Sequence, residues 1–150
     1  MKSVDLFAGA GGLSCGLKQS GFSPILANEL VPQYAETYQI NQQNTQMIVG
    51  DVRQVCEINI KKLLGAKAGE IDLVAGGPPC QGFSINAPIR SLDDERNHLF
   101  KDFLRVVASL NPKAVLIENV PGIISLGKGT VVKQIYAELD ALGYKVGHRI

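Results

Sequence analysis

The stretch Val4-Asp5-Leu6-Phe7-Ala8-Gly9-Ala10-Gly11-Gly12-Leu13 decides the fold class. A short apolar run over residues 4–7 ends in a glycine-rich turn, and the turn opens a helix carrying Leu13 and Leu17 that Gly21 stops. Strand, tight turn and helix in that order form the opening unit of a parallel sheet. The rest of the chain repeats the unit. Residues 24–27 read as a second strand, and Pro32 starts a helix over 33–42, where its missing N–H costs nothing. Residues 47–49 are a third strand closed by Gly50-Asp51, 53–64 an ambiguous helix, 65–69 a loop, and 71–75 a fourth strand entering Gly76-Gly77-Pro78-Pro79. The polar, aperiodic stretch 81–95 reads as a loop. Leu99, Phe100, Phe103, Leu104, Val106, Val107 and Leu110 then fall at helical spacing, ended by Asn111-Pro112. Residues 114–117 are a fifth strand, Val131 to Leu142 a helix closed by Gly143, and 144–150 a sixth strand. Strands alternating with helices imply a doubly wound parallel α/β sheet joined by right-handed crossovers. The sixth strand has no covering helix after it, which reads as an interrupted domain.

Composition sets the outer limits. The 150 residues carry 15 Lys+Arg against 14 Asp+Glu, a formal charge of +1, with 45% apolar and 19% charged residues. That is enough apolar material for one packed core and excludes a disordered tail. No apolar run reaches the ~18 residues that suggest a membrane span, and Asp5 interrupts the first apolar stretch, so it is no secretory signal. Cys15, Cys56 and Cys80 are odd in number and lack paired spacing, which argues against a disulfide framework and a zinc site. A cytosolic globular domain with no metal is expected. The near-neutral charge gives no electrostatic sign of nucleic acid.

In open parallel sheets, ligands sit beyond the carboxyl ends of the strands. Gly9 and Gly11 match two glycines of the dinucleotide pattern, but Ser14 fills the third, so the loop alone is either a nucleotide-type site or a plain tight turn. Glu29 ends the second strand, where a carboxylate can accept both hydroxyls of a ribose, and Asp51 ends the third, where it can accept from an adenine amino group. Either acid alone reads as a solvated strand end; three such strand ends together suit an adenosine. Gly76-Gly77-Pro78-Pro79-Cys80-Gln81-Gly82-Phe83-Ser84 follows the fourth strand. Two prolines stiffen the segment that presents Cys80. A lone cysteine is more often a small buried hydrophobe, but a rigid loop at the ligand edge suits a thiolate. Glu118 follows Val115-Leu116-Ile117; its carboxylate either caps a neighbouring loop or enters the same cleft, where burial would raise its pKa and keep a proton available.

Residues 7–13 (Phe-Ala-Gly-Ala-Gly-Gly-Leu), 77–84 (Gly-Pro-Pro-Cys-Gln-Gly-Phe-Ser) and 118–120 (Glu-Asn-Val) resemble three signature blocks of the cytosine-5 DNA methyltransferases, in the family's order. Glu29, Asp51 and residues 94–100 fit between them, so the resemblance covers the whole chain. It implies a Rossmann-like S-adenosylmethionine-dependent methyltransferase fold and transfer of a methyl group to carbon 5 of cytosine through a covalent cysteine adduct. Carried over, Phe7, Ala8, Gly9, Gly11, Gly12 and Leu13 hold the cofactor with Glu29 on the ribose, Leu30, Asp51 on the adenine amino group, Val52, Gly77 and Pro78. Relatives often place an aromatic ring where Leu30 stands, so the grip on adenine would be weaker here. Cys80 would be the nucleophile and Glu118 would share a proton with ring nitrogen 3, while Pro79, Gln81, Ser84, Arg96 and Asn119 would meet the flipped base or the DNA. Arg90 and Arg96 suit a loop closing over DNA, although Asp93, Asp94 and Glu95 also fit a solvated mixed-charge loop.

Family members continue with a Gln-x-Arg-x-Arg block, an antiparallel strand, a target-recognition region and a returning helix. Residues 1–150 therefore correspond to the cofactor-binding and catalytic half, with the target-recognition region absent. Three expectations follow from this. The strand at 144–150 should be displaced, disordered or paired with another molecule. The isolated chain should be inactive on double-stranded DNA. A second chain, or self-association through the terminal strand, should complete it. The alternatives are a cofactor-binding half of a split enzyme, a transfer-RNA cytosine methyltransferase, and a nicotinamide oxidoreductase. A cysteine hydrolase using His98 or His148 fits less well still.

Overall fold

A computed structural model describes residues 1–55, 60, 65, 69–79, 99–125 and 129–150. Five strands form one parallel sheet in the order β3-β2-β1-β4-β5: β1 (Lys2–Leu6), β2 (Ser23–Glu29), β3 (Gln46–Val49), β4 (Leu73–Gly76) and β5 (Ala114–Ile117). The chain winds outward from β1 through helices α1 (Gly12–Gln19) and α2 (Pro32–Asn41), then crosses back to β4 on the other side of β1. Strand order thus reverses between β1 and β4, and the crevice beyond those two strand ends is the ligand position of a doubly wound sheet. Register places Leu6 beside Asn28 and Gly76, Glu29 beside Val49, and Gly76 beside Ile117. All the candidate loops therefore leave the sheet along one edge.

The two faces of the sheet differ in chemistry. On one, Val4, Leu6, Leu26 and Val74 pack against α3 (Leu99–Leu110) and α5 (Thr130–Ala141). Helix α3 buries Phe100, Phe103, Leu104, Val106, Val107 and Leu110. At about 1.5–3 kcal/mol per fully buried large apolar side chain, that stripe outweighs any helix propensity. On the other face the sheet presents small side chains, Ala27 and Ala75, to Tyr38 of α2 and Leu17 of α1. Asp5 lies between those alanines in register.

The sequence reading needs two corrections here. Residues 144–150 form no strand, so among the described residues the sheet has five strands and the expected sixth is not made; the segment lies outside the sheet, one of the outcomes expected for it. Two hydrogen bonds explain the departure. The Tyr144 N–H closes α5 by donating to the Leu139 carbonyl (3.0 Å), and its hydroxyl donates to the Pro112 carbonyl (2.7 Å). The second draws Tyr144 to the residues just before β5, and Ile150 ends 94% exposed. A short helix α4 (Gly122–Ser125) also follows β5, which the apolar pattern did not announce. Most of the ambiguous helix at 53–64 and the loop at 81–95 lie outside the described residues; Val52–Gln54 is a 3-10 turn. Among the described residues no helix is long and apolar enough to cross a membrane.

Candidate functional site

The glycine loop is built by its neighbours. Phe7 takes a left-handed φ of 57°, turning the chain off β1, a conformation that costs a non-glycine residue on the order of 1 kcal/mol. The Ala8 N–H then donates to the Asn28 carbonyl (3.0 Å) and the Gly11 N–H to the Ala8 carbonyl (3.0 Å). Buried Asn28 ties β2 to the end of β3 by donating to the carbonyls of Ile48 (3.0 Å) and Gly50 (2.9 Å). Gly11 sits at φ 97°, and a Cβ there would stand 2.9 Å from Tyr38 Cδ2. A Cβ at Gly9, by contrast, would meet nothing within 4 Å, so the loop crest faces open space.

Glu29 is 8% exposed, and its two oxygens accept the N–H groups of Gly9 and Val31, each at 2.8 Å. Each oxygen keeps a lone pair for a hydroxyl donor. Beside it, Leu30 and Val49 are 61% and 49% exposed and form an apolar rim. Asp51 caps the 3-10 turn by accepting from the Arg53 N–H (2.9 Å), and the Arg53 guanidinium grips the same carboxylate at 2.6–3.1 Å. The Arg53 hydrogen bonds hold the Asp51 carboxyl below its ordinary range. Val52 is buried, and Arg105 of α3 donates to its carbonyl (2.9 Å) and to that of Val55 (3.2 Å). Arg105, which the sequence reading passed over, thus braces the turn that carries Asp51. One arginine amid an apolar helical stripe was the available signal.

On the other side of β1, β4 delivers Gly76, Gly77, Pro78 and Pro79. A side chain at Gly76 would collide with the Leu6 carbonyl oxygen and meet Phe103 Cε2 at 3.0 Å. A Cβ at Gly77 would lie 3.1 Å from Glu118 Oε2. The Glu118 N–H donates to the Gly76 carbonyl (3.0 Å) and Asn119 Nδ2 to the Pro78 carbonyl (2.8 Å). These contacts bring together residues 77–79 and 118–119, forty positions apart in sequence. Glu118 is exposed rather than buried, which corrects the expectation that burial would keep a proton on it. It emerges from β5, an edge strand whose residues are all half-buried or exposed. Cys80, Gln81, Ser84, Arg90, Arg96, His98 and Cys56 lie outside the described residues. Cys15 is a free, exposed thiol, and no metal-ligating cluster occurs among the described residues.

The sequence reading also missed a buried polar chain beneath the loop. Ser14 Oγ donates to Asp5 Oδ2 (2.7 Å) and lies 2.7 Å from the Tyr38 hydroxyl, and all three residues are fully buried. A serine has one hydroxyl proton, so with Asp5 ionised Tyr38 must donate to Ser14. Asp5 Oδ1 has no partner. Burial lifts the Asp5 pKa to about 6, against the pull of Ser14's hydrogen bonds and with help from the charge of Glu29. The sequence signals were an acid inside an apolar strand and a serine at the third glycine position.

An open loop crest, a carboxylate with free lone pairs and an apolar rim suit an adenosine. All 150 residues match the family model described as C-5 cytosine-specific DNA methylase. The chain is 42% identical over 144 residues to the type II methyltransferase M.AgeI of Thalassovita gelatinovora, spanning 96% of this chain and 33% of that protein. It is 39% identical to M1.HphI of Haemophilus parahaemolyticus over 95% of this chain and 38% of that one. A prophage-encoded E. coli protein described as a DNA modification methyltransferase superposes with a TM-score of 0.80 at 34% identity, covering 94% of this chain and 38% of its own. Spodoptera frugiperda DNMT2 superposes with a TM-score of 0.66 at 25% identity. The chain thus spans between a third and two-fifths of the length of these curated relatives.

Proposed function

The chain belongs to the C-5 cytosine-specific DNA methylase family, and from that premise we propose that it carries the S-adenosylmethionine-binding and nucleophile-bearing part of a DNA cytosine-5 methyltransferase. The observation that carries this reading is the meeting of residues 77–79 with Glu118 and Asn119 beside the glycine loop. When bound, the cofactor would supply an electrophilic methyl group on a sulfonium. The residues placed to hold it are the loop at 7–13, Glu29 on the ribose, Leu30 and Val52 around adenine, and Asp51 on its amino group. Asp51 already serves Arg53 and Arg53's own backbone N–H, so the adenine amino group would share an occupied acceptor.

Carbon 5 of cytosine is too weak a nucleophile to take a methyl group unaided. In the proposed reaction the Cys80 thiolate adds to carbon 6, and the displaced ring electron pair makes carbon 5 nucleophilic. Glu118, solvent-accessible and next to Gly77, shares a proton with ring nitrogen 3 and offsets the charge developing there. After methylation, removal of the carbon-5 proton returns the electron pair and expels the cysteine. The target base must leave the duplex stack, at a few kcal/mol.

The test is covalent trapping on duplex DNA carrying 5-fluorocytosine, where no carbon-5 proton can be lost, with a second chain supplying the target-recognition region. With S-adenosylmethionine present, a stable adduct mapping to Cys80 is expected, and Cys80→Ala should abolish it. An adduct that survives Cys80→Ala sinks the nucleophile assignment.

A further inference from the structure

The loop is flanked by two buried carboxyls that no cation balances among the described residues. Asp5 is fully buried at the end of β1, and Glu29 is 8% exposed at the end of β2. Among the described residues neither forms an ion pair. Glu29 is satisfied by backbone N–H groups, whereas Asp5 keeps one oxygen with no donor at all. The elements around Asp5 bring no positive charge: β4 has no titratable residue, Cys15 and Lys18 of α1 and Glu36 of α2 are exposed, and α2 faces it only with Tyr38. Buried charge without a partner is costly, and proteins leave it so where a ligand brings the countercharge.

We infer that Asp5, with Glu29 beside it, tilts this site toward the cationic sulfonium cofactor relative to the neutral thioether left after methyl transfer. The inference rests on the cofactor reading above and deepens it. The selection is electrostatic and needs no direct contact: a buried carboxylate acts across several ångströms of low-dielectric protein. It operates only while Asp5 is ionised. Because burial and Glu29 already hold its pKa near 6, a cation arriving beside it lowers that pKa and drives a proton off, and a neutral thioether does so less. Ser14 tunes the device, since its hydrogen bond to Asp5 favours the charged form.

The experiment is calorimetric binding of S-adenosylmethionine and S-adenosylhomocysteine to the chain between pH 5 and pH 7, in buffers of different ionisation enthalpy. If the sulfonium shifts Asp5 by about one pKa unit, the affinity ratio of the two ligands falls about fivefold from pH 7 to pH 5. Proton release near pH 6 should accompany only the sulfonium. Asp5→Asn should flatten the ratio, and Ser14→Ala, which keeps the carboxyl, should move the transition to higher pH. Binding of both ligands with a pH-independent ratio overturns the inference alone, as does a ratio in Asp5→Asn that still follows pH. No binding of either ligand at pH 7 overturns the cofactor reading and the inference together.

Discussion

The ring of Tyr38 closes directly beneath Gly11, so close that a methyl group on residue 11 would stand 2.9 Å from Tyr38 Cδ2. The same tyrosine reaches Ser14 with its hydroxyl. One side chain of α2 thereby fixes both the backbone of the glycine turn and the first turn of α1.

Gly11→Ala is accordingly expected to be severe. It meets the positive φ of 97° and the Tyr38 ring together, and backbone strain of this kind alone costs on the order of 1–3 kcal/mol. Urea denaturation should show the loss. A double variant with Tyr38→Leu should recover the steric part only, so an unchanged midpoint in Gly11→Ala would contradict the packing described here.

Asp5 makes the protein less stable as pH rises. Its folded-state pKa is raised to about 6 from the ordinary 3.8, so the protonated form is favoured in the native state. Its stabilising contribution is full below pH 3.8 and is lost as pH climbs through 6. The swing is on the order of 3 kcal/mol. Asp5→Asn should therefore be more stable than the parent at pH 8 and near parity at pH 4, as read by denaturant midpoints. A variant less stable than the parent at pH 8 would contradict this.

Glu29→Gln replaces one of two accepting oxygens with an NH₂ group facing a backbone N–H. Either Gly9 or Val31 loses its 2.8 Å bond, at a cost of about 1–3 kcal/mol for the stranded donor. Cofactor affinity should fall at least tenfold, by titration calorimetry; unchanged affinity would remove Glu29 from the site.

Arg105→Met keeps the packed stem and removes the donors to Val52 and Val55. Loss of these charge-assisted bonds is expected to cost about 1.5–3 kcal/mol and to weaken cofactor binding by loosening the turn that carries Asp51. Stability that drops while affinity holds would make Arg105 a brace for the core only.

Local patterns in the chain determined most of the fold. Alternating apolar runs and helical stripes determined the five strands and their flanking helices, because backbone period and burial are encoded within a few neighbouring residues. The glycine turn, Glu29 and Asp51 at their strand ends, and the exits of residues 76–79 from β4 and of Glu118 from β5 were legible for the same reason. Contacts across the sheet were decided by tertiary structure alone. Asp5 became a buried acid with one unpartnered oxygen because Ala27, Ala75 and two helices enclosed it, and no linear pattern reports enclosure. Arg105 reached Val52 from fifty-three positions away. Residues 144–150 carried a strand-like pattern yet lie outside the sheet, with the Tyr144 hydroxyl bonded to the Pro112 carbonyl thirty-two positions away. Glu118 followed an apolar run and still emerged into solvent, because β5 lies at an edge: burial is a property of neighbours, and neighbours are chosen by the fold.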